Sequence, residues 1–459
     1  TPAQAEQVGT APQYPFMDTS LSFEERAADL VSRLTLDEKV NQLGRNGAAV
    51  PRLGLAKYDY WNEALHGIQN GSAEGTSYPM PLGLAQTWDE EYIKVIANAI
   101  ADDARGHSQP TSEGGRGRGL TYWCPTVNME RSPIWGRTNE AYGEDTYVSG
   151  MLASAFSEGM MGDLDVQTDA NGRQYMKTVP TIKHYALNNH ENGRGSTSSN
   201  ASEADIRDYY TRVYRYIIER TDVPSLMSAY NAVNYTPSSG NTFLLDTLLR
   251  KTFGFTGFVT SDCGAIDNLE KTQKWVPTKN VSQKENYTLA AGKTISDYVD
   301  ANGVVTKPGS VALALMAGCD MDCNGDVYPT NAKKAVQQGI LSEDQVDKNV
   351  YNNLLSRFKL GEFDPDEMVE YRSAAYSFKN TVETPEHTEL AKDAASRSAV
   401  LLKNQNNTLP LDVSKVSKIV IVGDNADVCW TGNYSGKPQK QHQISLYEGI
   451  KDYLVTHND

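Results

Sequence analysis

Three short apolar runs in this chain stop abruptly at residues that can do chemistry. Phe258-Val-Thr-Ser261 runs into Asp262-Cys-Gly-Ala-Ile266, Val179 to Ile182 runs into Lys183-His184-Tyr185, and Ser225 to Ala229 runs into Tyr230-Asn231. A buried strand that delivers a carboxylate to its tip, with small residues behind it, leaves that carboxylate free to attack an electrophilic carbon, the anomeric carbon of a sugar among them. The competing role for Asp262 is to cap the helix that follows. Lys183 and His184 are donors that can hold a nearby carboxylate ionised and bind neutral hydroxyls, or equally an interior ion pair and a satisfied buried histidine. Tyr230 can face a ligand or send its hydroxyl to a backbone carbonyl.

Upstream, three segments mix aromatic, acidic and basic residues at close spacing: Asp59-Tyr-Trp61-Asn-Glu63-Ala-Leu-His66-Gly67, Tyr122-Trp123-Cys-Pro125-Thr-Val-Asn128 and Pro133-Ile-Trp135-Gly136-Arg137. Such mixtures suit sugar binding, where ring faces stack on C–H groups and carboxylates accept hydroxyl protons. Tryptophan is also a core residue, so each segment alone is ambiguous.

The elements that must hold these groups follow from spacing. The apolar runs recur roughly every 30 to 50 residues with amphipathic stretches between them, the β/α alternation of a parallel sheet. Ser202 to Ile218 supplies one intervening helix, with Ile206, Tyr209, Tyr210, Val213 and Tyr214 on its apolar side. Before the alternation, Ser22-Phe-Glu-Glu25 and Thr35-Leu-Asp-Glu38 are capping boxes that open two helices, the first burying Ala27, Leu30, Val31 and Leu34. Residues Thr272 to Ser310, around Trp275-Val-Pro, read as a surface excursion of one loop. Ser342-Glu-Asp-Gln345 caps a helix running to Phe358 that closes at Lys359-Leu-Gly361. A linker follows, then a helix from Glu386 to Leu402 and an apolar strand, Lys418 to Val422, which opens a second α/β unit.

At 459 residues the chain exceeds one ordinary core. The expected division is an N-terminal extension over 1–20, a β/α domain over 21–362, a linker over 363–385 and the first part of an α/β sandwich over 386–459, too short by itself to close a sheet. No apolar run approaches the roughly 18 residues a membrane span needs, and a net charge of −15 argues against nucleic acid and anionic lipid as partners. Thr1 to Pro15 is polar and reads as a mature or trimmed terminus rather than a targeting segment, which favours a secreted or extracellular setting without fixing the compartment. Of the five cysteines only Cys319 and Cys323 lie close together; buried free thiols are expected, with a Cys319–Cys323 disulfide as the alternative. A zinc site fails for want of a second ligand pair.

Taken together and in order, these segments resemble glycoside hydrolase family 3. The matching stretches are Tyr60-Trp-Asn-Glu-Ala-Leu-His-Gly67, Pro125-Thr-Val-Asn128, Trp135-Gly-Arg137, Tyr142-Gly-Glu-Asp145, Lys183-His184, Ser228-Ala-Tyr-Asn231 with Ala232-Val-Asn234, and Val259-Thr-Ser-Asp-Cys-Gly264. The resemblance runs from about Ser22 through Asn425. It implies a TIM-like β/α barrel followed by an α/β sandwich, and hydrolysis of terminal β-linked sugars with retention, without metal or cofactor. By position Asp262 matches the family's nucleophile, and Arg137, Lys183, His184, Tyr230 and, less directly, Arg194 match residues around the terminal sugar. Trp123 stands where the xylosidase-like branch has an aromatic, and Glu63 where glucosidase-like members usually have Asp. The extra methylene pushes a carboxylate into space a hydroxymethyl group would need, so a β-D-xylosidase acting on xylo-oligosaccharides is expected before a β-glucosidase or α-L-arabinosidase. The resemblance also implies an acid/base about 5 Å from the nucleophile, which the xylosidase-like branch takes from a Glu of the second domain beyond Asp459. The N-acetylhexosaminidase branch uses an Asp-x-His pair after Lys-His, but here that loop reads His190-Glu-Asn-Gly-Arg194-Gly-Ser. Another chain completing the second domain, a homo-oligomer, or an incomplete sugar-binding subunit are compatible arrangements.

Overall fold

Ser22 and Thr35 each accept a hydrogen bond from the amide three residues on, and Glu25 and Glu38 return the bond to the cap amides. Both capping boxes therefore form, starting the helices Phe23–Arg33 and Leu36–Val40. In the first helix Ala27, Leu30 and Val31, with Leu34 at its end, are buried. The computed structural model describes residues 14–69, 74–109, 119–163, 166–169, 171–278 and 287–456; the expectation for the first residues, 1–13, lies outside them.

Four strands, Thr121–Tyr122, Val179–Tyr185, Ser225–Ser228 and Phe258–Ser261, lie side by side in that order and run parallel. Every residue of the three longer strands is buried, as a sheet covered on both faces requires. Thr260 bridges Met321 and Gly44 bridges Asp322, both in parallel. The Tyr60 amide then bonds the Arg45 carbonyl at 2.9 Å and the Trp123 amide the Asn62 carbonyl at 2.8 Å. The ring of segments so returns to its first strand: this is a β/α barrel, as expected.

Helices Thr146–Met161, Arg212–Arg220, Lys307–Ala317, Val327–Gln337 and Glu343–Lys359 surround it, along with a π-helix at Phe243–Thr252. The segment expected as one helix from Ser202 is wound in three pieces, Glu203–Asp205, Ile206–Tyr210 and Arg212–Arg220. Inside the barrel Tyr58, Tyr60, Leu120, Val179, Phe258 and Met321 fill the amino-terminal end, and Trp123, Met227 and Cys323 the carboxyl-terminal end. No helix among the described residues is long and apolar enough to cross a membrane.

Several expectations need correction. The disulfide joins Cys263 to Cys323, and Cys319 is a buried free thiol. Neighbouring strand ends bring Cys263 and Cys323 together across 60 residues of sequence, their Cα atoms 4.6 Å apart. The segment read as a surface excursion carries core residues: Trp275 and Tyr298 are buried, and Trp275 lies against Tyr287. The helix expected from Glu386 to Leu402 spans Pro385–Arg397, and Leu401 and Leu402 are exposed beyond it. Lys418 to Val422 forms no strand, with Val420 and Val422 exposed. A parallel strand exists only when neighbours complete its hydrogen bonds, and none among the described residues does. Within the stretch read as a linker, Val369 and Tyr371 are buried, which leaves its reading as a connection open.

Outside the site, Glu130 has an inward oxygen, Oε1, with no hydrogen-bond partner. Burial first, then the neighbouring Glu144 carboxyl, push its pKa up to about 7. The folded chain thus holds this proton more tightly than the unfolded chain does. The penalty is absent below the unfolded pKa and grows as pH rises toward 7. Glu130→Gln is expected to stabilise the protein at pH 8 by about 1 kcal/mol, a figure reduced for partial exposure, and to change little at pH 4; urea melts at the two pH values measure the difference.

Candidate active site

Asp262 directly follows the strand Phe258–Ser261, so its side chain enters the barrel's carboxyl-terminal mouth, where catalytic groups of such barrels gather. Its Oδ1 accepts the Cys263 amide at 2.7 Å. Oδ2 is buried and has no hydrogen-bond partner. The capping alternative fails, because Gly264 precedes the helix Ala265–Lys271 and no side chain caps it. One carboxylate oxygen is therefore pinned and the other is left available.

Lys183 and His184 arrive from the next strand but one in the ring, Val179–Tyr185. His184 Nδ1 lies 2.9 Å from Asn128 Oδ1, while Asn128 Nδ2 donates to the His184 carbonyl at 3.0 Å. That arrangement makes Nδ1 the protonated nitrogen and leaves Nε2 as an acceptor. Burial, then the charges of Arg137, Lys183 and Arg194, hold the His184 pKa well below its usual value, so the ring is neutral. Its Nε2 sits 3.4 Å from Arg137 Nη1 and 3.6 Å from Asp262 Oδ2. With Nε2 an acceptor, His184 offers Oδ2 no proton across the second gap.

Lys183 Nζ donates to Glu63 Oε2 at 2.9 Å, and both side chains are almost fully buried. Burial raises the Glu63 carboxyl above its ordinary range although Lys183 opposes it. For Lys183 burial works against the charge, but Glu63 and Tyr434 facing it leave its pKa raised. Arg137 is held by Glu140, with Nη2 2.6 Å and Nε 3.0 Å from the same carboxylate oxygen. Arg194 lies over the Tyr230 ring at 4.3 Å and is tied to Glu191 at 2.6 Å, and Glu191 also accepts from Trp135 Nε1 at 2.9 Å. The Asp262 pKa is raised by burial, with the Cys263 amide, Lys183, Arg137 and Arg194 each pulling it back.

Tyr230 sends its hydroxyl to the Cys263 carbonyl at 2.6 Å, the structural role weighed for it in the sequence. Trp123 is buried with its indole Nε1 unpartnered, Trp61 stacks on it at 5.9 Å, and the Arg45 guanidinium lies over the Trp61 ring at 4.3 Å. The structure thus gathers Asp262, His184, Lys183, Glu63, Arg137, Arg194 and Tyr230 by direct contacts, and places Trp123 in the barrel mouth beside Cys323. Sequence patterns gave no hint of Tyr434 in the site, yet its ring lies 4.7 Å from Lys183 Nζ and 5.7 Å from the Arg137 guanidinium. It comes from the far end of the chain, anchored by Leu65 N to its carbonyl and by His66 Nε2 to the Asn433 carbonyl at 2.8 Å. The only signal was a tyrosine in a Gly-bounded turn, Gly432-Asn-Tyr-Ser-Gly436.

Chemically, the arrangement is a carboxylate with one free oxygen among fixed donors and aromatic faces. No group of three or more His, Cys, Asp and Glu side chains among the described residues could hold a metal ion.

Comparison with known proteins places this geometry. The description "Glycosyl hydrolase family 3 N terminal domain" matches residues 60–353, and "Glycosyl hydrolase family 3 C-terminal domain" matches 399–458. The chain is 32% identical over 453 residues to a xylan 1,4-beta-xylosidase of Xylanibacter ruminicola, covering 96% of this chain and 48% of that protein. It is 32% identical over 459 residues to beta-xylosidase/alpha-L-arabinofuranosidase 1 of Medicago sativa subsp. varia, covering 96% and 54%. The chain spans about half the length of these curated relatives. Among solved structures it is similar to a family 3 exo-beta-xylosidase in complex with a xylobiose aziridine activity-based probe, with TM-score 0.80, 29% identity, and 96% and 53% of the two chains covered. A beta-glucosidase from Listeria innocua in complex with isofagomine shares the fold at TM-score 0.71 and 22% identity, over 93% and 58%.

Proposed function

The chain belongs to glycosyl hydrolase family 3, and from that premise we propose that it is the nucleophile-bearing part of a retaining, exo-acting β-glycosidase that releases terminal β-linked xylose from xylo-oligosaccharides. The observation that carries the proposal is the asymmetry of Asp262, whose Oδ1 is held by the Cys263 amide while Oδ2 is unbonded. Attack by Oδ2 on C1 forms a glycosyl ester as the leaving oxygen departs, and water then cleaves that ester with net retention. Lys183, Arg137 and Arg194 pull Asp262 toward its ionised form against burial, and together with neutral His184 they bind sugar hydroxyls. Trp123 backs the mouth from beneath Trp61, whose half-exposed ring is the aromatic face open to a sugar.

On this reading the acid/base is not among the described carboxyls gathered around Asp262. Three carboxylates of the site, Glu63, Glu140 and Glu191, are each committed to a cation, and a proton donor needs a free, protonated carboxyl. On this reading residues 21–362 are the barrel domain, 363–385 the connection and 386–459 the first part of the sandwich. The exposed apolar residues Val420 and Val422 are left without sheet partners among the described residues.

Xylose is favoured because Glu63 reaches the site with one more methylene than an aspartate would, and because the curated relatives above are named for xylosidase activity. The second relative's name also supports α-L-arabinofuranosidase activity as a second reading. With 2,4-dinitrophenyl glycosides the first step needs no acid. The burst of dinitrophenolate should be roughly 10-fold or more faster from the β-xyloside than from the β-glucoside, and Glu63→Asp should narrow the gap. A glucoside preference in the parent chain would remove the pentose reading, and a faster α-L-arabinofuranoside would install the second one.

A further inference from the structure

We propose that the Cys263–Cys323 disulfide is a positioning device for the nucleophile, fixing the peptide that grips Asp262 Oδ1 and thereby aiming Oδ2. The inference rests on the reading of Asp262 as nucleophile.

Cys263 is the residue whose amide holds the carboxylate, at 2.7 Å. Immediately after it the chain turns through Gly264, which has φ of 85° and nothing within 4 Å of where a side chain would begin. No side chain packs at this glycine, and the tip is held on either side by backbone bonds, Asp262 N to the Ser228 carbonyl at 3.1 Å and Ala265 N to the Asp262 carbonyl at 3.0 Å, so the disulfide is the covalent tether at Cys263 itself. The far end of the disulfide is well anchored. Cys323 is buried, and its amide donates to Ser261 Oγ at 3.2 Å. Next to it, the Asp322 carbonyl accepts from Arg45 N at 3.1 Å and its carboxylate from Asn324 N at 3.0 Å and Val327 N at 2.9 Å. The cross-link therefore ties the tip that carries the Cys263 amide to a fixed strand end. Without it, the Cys263 peptide keeps one side-chain restraint, the Tyr230 hydroxyl on its carbonyl at 2.6 Å. A displacement of about 1 Å at a reacting atom can cost on the order of 100-fold in rate, so this tether acts on chemistry as well as on stability.

A disulfide that only stabilised the fold would leave the reactivity of intact protein unchanged, which separates the two roles. The test uses the full chain as wild type, wild type reduced with a phosphine, and Cys323→Ser. The probe is 2,4-dinitrophenyl 2-deoxy-2-fluoro-β-D-xyloside: Asp262 Oδ2 bonds to C1, the C1–O(aryl) bond breaks, and dinitrophenolate leaves with the electron pair. In folded protein whose thiols titrate as free, labelling should slow by about 10- to 100-fold while xylose binding stays within about twofold. The acid limb of the labelling rate should also move to higher pH. It reports Asp262 among Lys183, His184, Arg137, Arg194 and Tyr230, and the loosened Cys263 amide would no longer favour the ionised form. Unchanged labelling in disulfide-free protein, or labelling and xylose binding falling together, would overturn the inference and leave the nucleophile standing. Wild-type protein labelled at some other residue would overturn both. If Cys323→Ser does not fold, the reduced wild type decides between the same two outcomes.

Discussion

Asp262→Asn is expected to lower turnover by about 10⁴-fold or more while leaving xylose binding measurable. The amide keeps the shape of the carboxylate and still accepts the Cys263 amide through its oxygen. Its nitrogen replaces Oδ2, cannot attack C1, and faces the unprotonated Nε2 of His184 across the present 3.6 Å gap. A donor there meets an acceptor, where the native residue places one acceptor opposite another. The variant should therefore melt at the same temperature as the parent or higher, since a buried group with a burial-raised pKa is replaced by a neutral one. Lost activity with retained or increased stability is the pattern of a residue kept for chemistry. Activity within about tenfold of the parent would remove Asp262 from the role.

Lys183→Met should have the largest effect on stability, about 3–5 kcal/mol at pH 8, because it strands the buried Glu63 without its cation. Burial already raises the Glu63 pKa, so in this variant the carboxyl escapes the penalty by taking up a proton. The loss should shrink as pH falls toward 5. Adding Glu63→Gln should recover much of the stability at pH 8 without restoring activity. Denaturant titrations of the two single variants and the double variant give the coupling directly. A cost below about 1 kcal/mol would show that the pair is solvated and that the site is more open than its burial indicates.

Much of this site was legible because a parallel barrel announces its catalytic end. Strands buried on both faces are mostly uncharged until their carboxyl ends, so the point where Phe258-Val-Thr-Ser gives way to Asp262, or Val179 to Ile182 gives way to Lys183-His184, marks the mouth. The capping boxes at Ser22 and Thr35 were equally readable, each being a local bond between a cap and the third residue on. What could not be read depends on contacts between distant parts of the chain. Cys319 and Cys323 are close in sequence, but strand order puts Cys263 next to Cys323. Tyr434 reaches Lys183 and Arg137 from a turn with no periodicity to mark it. Lys418 to Val422 has the composition of a buried strand, yet composition states only what such a segment requires of its neighbours. Tyr230 illustrates a further limit: its type suited ligand contact or a carbonyl, and only the 2.6 Å bond to Cys263 distinguishes them.

The identity of the nucleophile is best tested by incubating the chain with the fluorinated dinitrophenyl xyloside, digesting it, and locating the added sugar by mass spectrometry. One fluoroxylosyl group per chain is expected, esterified to Asp262 and absent from Asp262→Asn. A label on another carboxylate, such as Glu63 or Glu191, would contradict the assignment of Asp262.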